Sequence, residues 1–157
     1  MNVTFVSDGS LDAEIKKIAE RLQRPNPVNV DVISDTMRAI VRENFATESG
    51  DGQAWQELAR STVEERESLG YPGEHPILIR SGDLFESATN PNDSGHIERV
   101  EPDLTGFSVT IGTNDPRARK LNDGAGRIPA RPFMTADSEQ FDILANAVEA
   151  YFDALFV

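Results

Sequence analysis

The apolar residues of this chain change their period along its length, and that order limits the folds open to it. Leu11, Ile15, Ile18 and Leu22 recur at helical spacing, as do Met37, Ile40, Val41 and Phe45. Phe107, Val109 and Ile111 then alternate with Ser108 and Thr110, the pattern of a strand with one buried face. The chain returns to helical spacing in Phe141, Leu144, Ala145, Val148, Tyr151, Phe152 and Leu155. Helices, then a hairpin, then a helix define an α+β fold with a small antiparallel sheet.

The punctuation between these blocks sets the expected elements. Residues 2–6 read as a short strand, and Ser10 as the cap of a first helix that Pro25 and Pro27 end. Val28, Val30 and Val32 alternate, so they form an extended lead-in or the edge of a second helix starting near Ser34. After a loop at 47–53, a third helix is expected to carry Trp55, Leu58, Ala59 and Val63, with Glu64–Glu67 on its solvated face. Gly70–Pro76 is a loop, Ile77-Leu78-Ile79 a short buried run, and Ser81 the cap of a small helix with Leu84, Phe85 and Ala88. His96–Val100 and Phe107–Ile111 make the hairpin, and the last helix runs from about Asp137. With 157 residues the chain is read as one domain, long enough to bury a sizeable core.

Charge narrows the function. The sequence holds 27 acids and 15 bases, a net charge of −12. A face for non-specific DNA binding or for an anionic membrane needs the opposite sign. No apolar run approaches the ~18 residues of a spanning helix, and Met1–Asp8 lacks the basic and apolar regions of a signal peptide. The absence of cysteine excludes a disulfide framework, a thiolate metal site and a cysteine nucleophile. A protein made in a cytoplasm is expected, with no membrane partner.

Catalytic patterns are weak. His75 adjoins Glu74 and His96 lies two residues before Glu98, so either could anchor a small metal-dependent hydrolase site. No spacing places them on one helix face, and surface positions are the simpler account. Ser81-Gly82-Asp83 lacks the context of a nucleophile elbow, and Asp123-Gly124-Ala125-Gly126 lacks that of a phosphate loop. The expectation is no enzyme activity and no cofactor or metal. The acidity leaves open a DNA mimic that inhibits a DNA-binding enzyme.

One segment stands apart. Residues 113–134 hold Arg117, Arg119, Lys120, Arg127 and Arg131 against Asp115 and Asp123. Five bases against two acids leave this segment at +3 and the rest of the chain at −15. Such a segment is either a solvated loop or an extended arm that docks on an acidic surface, and another copy of the chain offers one. A loop meeting a different face of its neighbour makes a heterologous contact, which closes into a ring or continues as a filament. Pro129 and Pro132 stiffen the arm's end. Arg131 is expected to fork onto a carboxylate, and Phe133 to plug either the chain's own core or a neighbour.

Three pieces resemble a known family. Gly52-Gln53-Ala54-Trp55-Gln56-Glu57-Leu58, with Thr62 and Arg66 following, is similar to the G-x-x-W-x-x-L…T…R stretch of the phage virion morphogenesis family. This is the tail-completion or neck family of Mu-like and P2-like tailed phages. Ile77–Ser87 resembles its I-L-x-x-(S/T)-G-x-L-x-x-S segment, and Ile128-Pro129-Ala130-Arg131-Pro132-Phe133-Met134 its I-P-A-R-P-F-(L/M) motif. The pieces occur in the family's order over residues 40–157. The Tyr-Ala…His-Gln-x-Gly stretch that usually precedes the last motif is replaced by Pro116–Gly124. The resemblance implies a structural virion protein that forms a ring, often of six copies, at the head–tail joint or head-proximal tail end. Its partners would be itself, the neighbouring neck or connector proteins and the tail tube, with DNA only as cargo passing through the lumen. Arg117, Arg119, Lys120, Arg127, Ile128, Arg131 and Phe133 are the expected assembly residues.

Overall fold

The computed structural model describes residues 16, 17, 19, 20, 27–102 and 107–154. The expected strand at 2–6, the cap Ser10, the apolar positions Leu11, Ile15, Ile18 and Leu22, and Leu155 lie outside them. Within this range the fold is α+β, with helices around two small antiparallel two-stranded sheets.

Helix α1, Pro27–Thr47, is the central element. It starts seven residues before the expected Ser34, so the Val28–Val32 alternation is helical rather than extended. A helix can open on proline because the first-turn N–H groups have no intrahelical acceptor. Burial decides the rest: Val30 and Ile33, three residues apart, pack with Tyr151 of the last helix. Tertiary packing therefore outweighs the extended preference of a valine-rich stretch.

After α1 a tight hairpin pairs β1, Ser49–Gly50, with β2, Gln53–Ala54. The chain then runs without regular secondary structure from Trp55 to Ala59 and enters α2 at Arg60–Ser68. The expected third helix thus begins later, and Trp55, Leu58 and Ala59 precede it. The reason is local. The Trp55 amide donates to Glu48 O at 2.7 Å, closing the hairpin. Its indole meets Phe45 edge-on, with ring centroids 5.8 Å apart. A helix through 55–59 would also consume the Gln56 and Glu57 carbonyls, which have other partners here.

Helix α3 spans Asp83–Thr89. Its N-cap is Gly82, at φ 94°, not Ser81. Only glycine enters that left-handed region freely. Ser81 instead donates its hydroxyl to Asp83 Oδ2 at 2.7 Å. Strands β3, His96–Pro102, and β4, Phe107–Thr113, pair antiparallel from His96↔Thr113 to Pro102↔Phe107. The hairpin is the expected one, two residues longer on each arm.

The 113–134 segment is not extended throughout. It contains α4, Ala118–Asp123, and a turn closed by the Ala125↔Ile128 bridge. Helix α5, Ser138–Asp153, follows. Asp137 caps it, and Gln140 completes a reciprocal capping box. The wide apolar face expected of α5 divides in the structure. Ala147 and Tyr151 are buried, with Leu144 and Val148 packed beside them, whereas Phe141 is 63% exposed and Phe152 40%.

The main core joins α1, the 55–59 run, the 77–79 run, α3 and the chain before α5. Phe45 lies at its centre, with ring centroids 5.8 Å from Trp55, 5.3 Å from Phe85 and 5.2 Å from Phe133.

Candidate functional site

The site is built from the segments on which the resemblance rests. Arg131 is 4% exposed. Its Nε donates to Gln56 O at 2.8 Å and its Nη2 to Glu57 O at 3.0 Å. Its own amide donates to Leu121 O of α4 at 2.9 Å. The fork thus holds two backbone carbonyls, not the carboxylate expected from sequence. Trp55 Nε1 donates to Pro132 O at 3.1 Å. Asn122 Oδ1 accepts from the amides of both Phe133 and Met134 at 3.0 Å. Asn44 Nδ2 donates to Phe133 O at 3.1 Å and to Thr135 O at 2.8 Å. Phe133 is fully buried, so its plug fills the chain's own core.

Arg66 of α2 repeats this arrangement. It is 7% exposed, and its guanidinium donates to Pro76 O at 2.9 Å and, through Nη2, to Ile77 O. Both cations are thus ligated by neutral carbonyls. Burial pushes the Arg66 pKa down, and the nearby Arg80 and Arg131 charges add to this, with Glu48 acting in opposition. Burial also lowers Arg131, partly offset by Glu57. Arginine stays charged under such shifts, so both side chains remain cations within the fold.

Between α2, the 55–59 run, the 77–84 stretch and the 127–131 stretch lies an open pocket of about 580 Å³. Five arginines line it (Arg66, Arg80, Arg117, Arg127 and Arg131) against Glu57, Glu65 and Asp83. Leu58, Leu78, Ile128 and Pro129 supply apolar wall. Arg80 lies 3.8 Å from Glu65 and over the Tyr71 ring, 5.6 Å from its centroid. Arg117 pairs with Asp115, at 2.9 Å from Nε to Oδ1 and 2.5 Å from Nη2 to Oδ2. That pairing holds the Asp115 carboxyl below the usual range.

The expected assembly residues therefore fall into two sets. Arg131 and Phe133 are buried and hold the 128–134 stretch to the core. Arg119, Lys120, Arg127 and Ile128 face solvent, and Arg117 is partly exposed beside Asp115. Arg119 reaches no closer than 3.8 Å to Asp123 and is 93% exposed along its side chain. Asn44 and Asn122 are structural keys that sequence reasoning did not single out, whereas Arg66 entered it only as the last position of the G-x-x-W-x-x-L…T…R resemblance. The one signal was Asn44, a polar residue within the apolar stripe of α1.

The histidines have separate settings. His75 Nδ1 lies 2.6 Å from Glu48 Oε2, and Nε2 lies 3.7 Å from Glu57 Oε2. The other Glu48 oxygen accepts the Ile77 amide at 2.6 Å. The His96 side chain is 3% exposed; its Nδ1 donates to Ser87 O at 3.0 Å, and Nε2 lies 3.4 Å from Glu98 Oε2. Glu98 is itself bonded by Arg38. Among the described residues, no group of three or more His, Asp or Glu is placed to hold a metal ion. No described helix is long and apolar enough to cross a membrane.

The geometry defines an α+β domain whose distinctive feature is an arginine-lined pocket. No protein-family model, curated protein or solved structure matches the chain.

Proposed function

We propose that the chain is a structural virion protein of a tailed phage, joining copies into a ring at the neck or the head-proximal end of the tail. One observation carries this reading. The three segments that resemble the virion morphogenesis family, far apart in sequence, meet in one connected unit. Arg131 bonds the Gln56 and Glu57 carbonyls, Trp55 bonds the Pro132 carbonyl, and Phe45 touches Phe85 and Phe133. Motifs that build one another's geometry are expected of a shared fold rather than of chance similarity.

The charge pattern supports the same reading. An acidic body with an exposed basic stretch at Arg119, Lys120 and Arg127 is self-complementary. Contacts between unlike faces close into rings where the rotation closes, and otherwise run on as filaments. An acidic lumen would let DNA pass without adhering, since like charges repel.

The test is assembly. The purified chain, alone and with neck and tail components, is imaged by electron microscopy. Rings, and heads and tails that fail to join when the chain is missing, are the expected result. A chain that never co-assembles with such components overturns the reading.

A further inference from the structure

Of the five arginines that line the pocket, Arg117 pairs with Asp115 and Arg80 lies near Glu65, and the other three are held differently. Arg66 and Arg131 are held by carbonyls, and Arg127 stands exposed at the rim. The lining also includes Ile128, 40% exposed, with Leu58 and Pro129. A fitting ligand is therefore anionic and partly apolar. Phosphodiester backbone is a poor match, because Glu57, Glu65 and Asp83 interrupt the basic surface and the remainder of the chain is strongly acidic.

The opposite surface exists on the same chain. Helix α5 contains Glu139, Asp142, Glu149 and Asp153 and no lysine or arginine. Its buried stripe is Gln140, Ala147 and Tyr151. One helical step round lie Phe141 and Phe152, both exposed, and a further step round lie Asp142, Glu149 and Asp153, also exposed. An acidic row thus runs beside an apolar row on the outward side of α5. None of the residues of α5 lines the arginine pocket, so the two surfaces are distinct patches.

We propose that the arginine pocket of one copy receives the acidic outer face of α5 from the next copy. Asp142 and Glu149 meet the Arg127 rim and the buried guanidinium edges, and Phe141 packs against the Ile128 wall. The contact is head-to-tail, so each copy uses one pocket and one helix face, as a ring requires. The inference deepens the ring reading and rests on it, because it names the two surfaces that would join.

Paired charge reversals in the full-length chain test it. Arg127→Glu spoils the pocket rim, and Asp142→Arg with Glu149→Arg spoils the helix face. All three residues are exposed, so far-UV circular dichroism and the melting temperature are expected to match the wild type. In sedimentation over a concentration series, the wild type associates. Each variant alone associates at least about tenfold more weakly, since like charges then face each other. An equimolar mixture of the two associates again, because the intact helix face of one variant meets the intact pocket of the other, and the two reversed surfaces, Arg127→Glu against Asp142→Arg with Glu149→Arg, are once more opposite in charge.

Variants that associate as the wild type does overturn this contact and leave the ring reading standing. A wild type that stays monomeric at every concentration overturns the self-contact, and co-assembly with neck components then decides the ring reading separately. Binding of a short DNA duplex or inorganic phosphate that Arg127→Glu abolishes assigns the pocket to phosphate and overturns the proposed occupant.

Discussion

Trp55 donates its indole N–H to the carbonyl of Pro132 at 3.1 Å, tying the chain after the first hairpin to the stretch that leads into α5. Trp55 is 6% exposed and packs edge-on to Phe45. Trp55→Phe keeps much of the ring packing but leaves the Pro132 carbonyl without this donor. A lost hydrogen bond with a stranded buried partner costs about 1–3 kcal/mol. Urea unfolding followed by circular dichroism is expected to show a loss in that range. An unchanged midpoint would mean that the bond contributes nothing net.

The same carbonyl explains why residue 50 is glycine. A Cβ added to Gly50 would lie 1.8 Å from Pro132 O, and this is backbone that cannot swing aside. Gly50→Ala is therefore expected to displace the Pro132 stretch and to cost about 3 kcal/mol or more, or to leave the chain insoluble. Gln53→Ala, at an exposed position of the same hairpin, is the control and should fall within about 0.5 kcal/mol of the wild type. A soluble Gly50→Ala protein with an unaltered melting temperature would show that β1 and the Pro132 stretch do not approach this closely.

These two contacts mark where sequence legibility ends. The β3–β4 hairpin and helix α5 were readable because their signals are local: period-two alternation in one, and apolar residues at helical spacing in the other. What the sequence left open or misplaced shares a cause. Val28–Val32 is helical because Tyr151, over a hundred residues away, covers Val30 and Ile33. The 55–59 stretch is not helical, and Arg131 takes its Gln56 and Glu57 carbonyls. The five bases of 113–134 were visible as a charge excess, but their division into two buried or paired anchors, Arg131 and Arg117, and three exposed side chains, Arg119, Lys120 and Arg127, was not. Arg66, which also lines the pocket, sits among three glutamates, Glu64, Glu65 and Glu67, in sequence and reads there as part of a solvated face. Only the folded chain places it under Pro76 and Ile77.

Asn44 provides a test of the polar joint beneath the motif. It is 1% exposed, donates to the Phe133 and Thr135 carbonyls, and accepts from Gln140 Nε2 at 3.0 Å. It therefore joins α1, the end of the 128–134 stretch and the first turn of α5 with one side chain. Asn44→Leu is near in volume and suits the apolar stripe of α1, yet it strands several buried groups at once. The expected cost is about 2–4 kcal/mol, because unmet buried polar groups outweigh the added apolar area. Chemical denaturation measures it. A stabilised Asn44→Leu protein would mean that these carbonyls find other donors.

Asp115 and Arg117 give the pH dependence. Asp115 accepts from the Arg117 guanidinium, and from its backbone amide at 2.8 Å, with its own side chain 8% exposed. The hydrogen bonds from the Arg117 side chain are the largest cause of its lowered pKa, working against burial. A carboxyl with a folded pKa below the unfolded value stabilises the fold above the unfolded pKa, near 3.9, and loses that stabilisation as pH falls through the folded value. Arg117 is 46% exposed, so solvent screening holds the contribution to about 1 kcal/mol at neutral pH. Asp115→Asn should thus be less stable than the wild type by about that amount at pH 7, and the gap should narrow once the pH drops below about 4. Thermal melts of both proteins at pH 7, 5, 4 and 3 read this directly. A gap that stays constant down to the lowest pH would show that the aspartate acts through shape and not through charge.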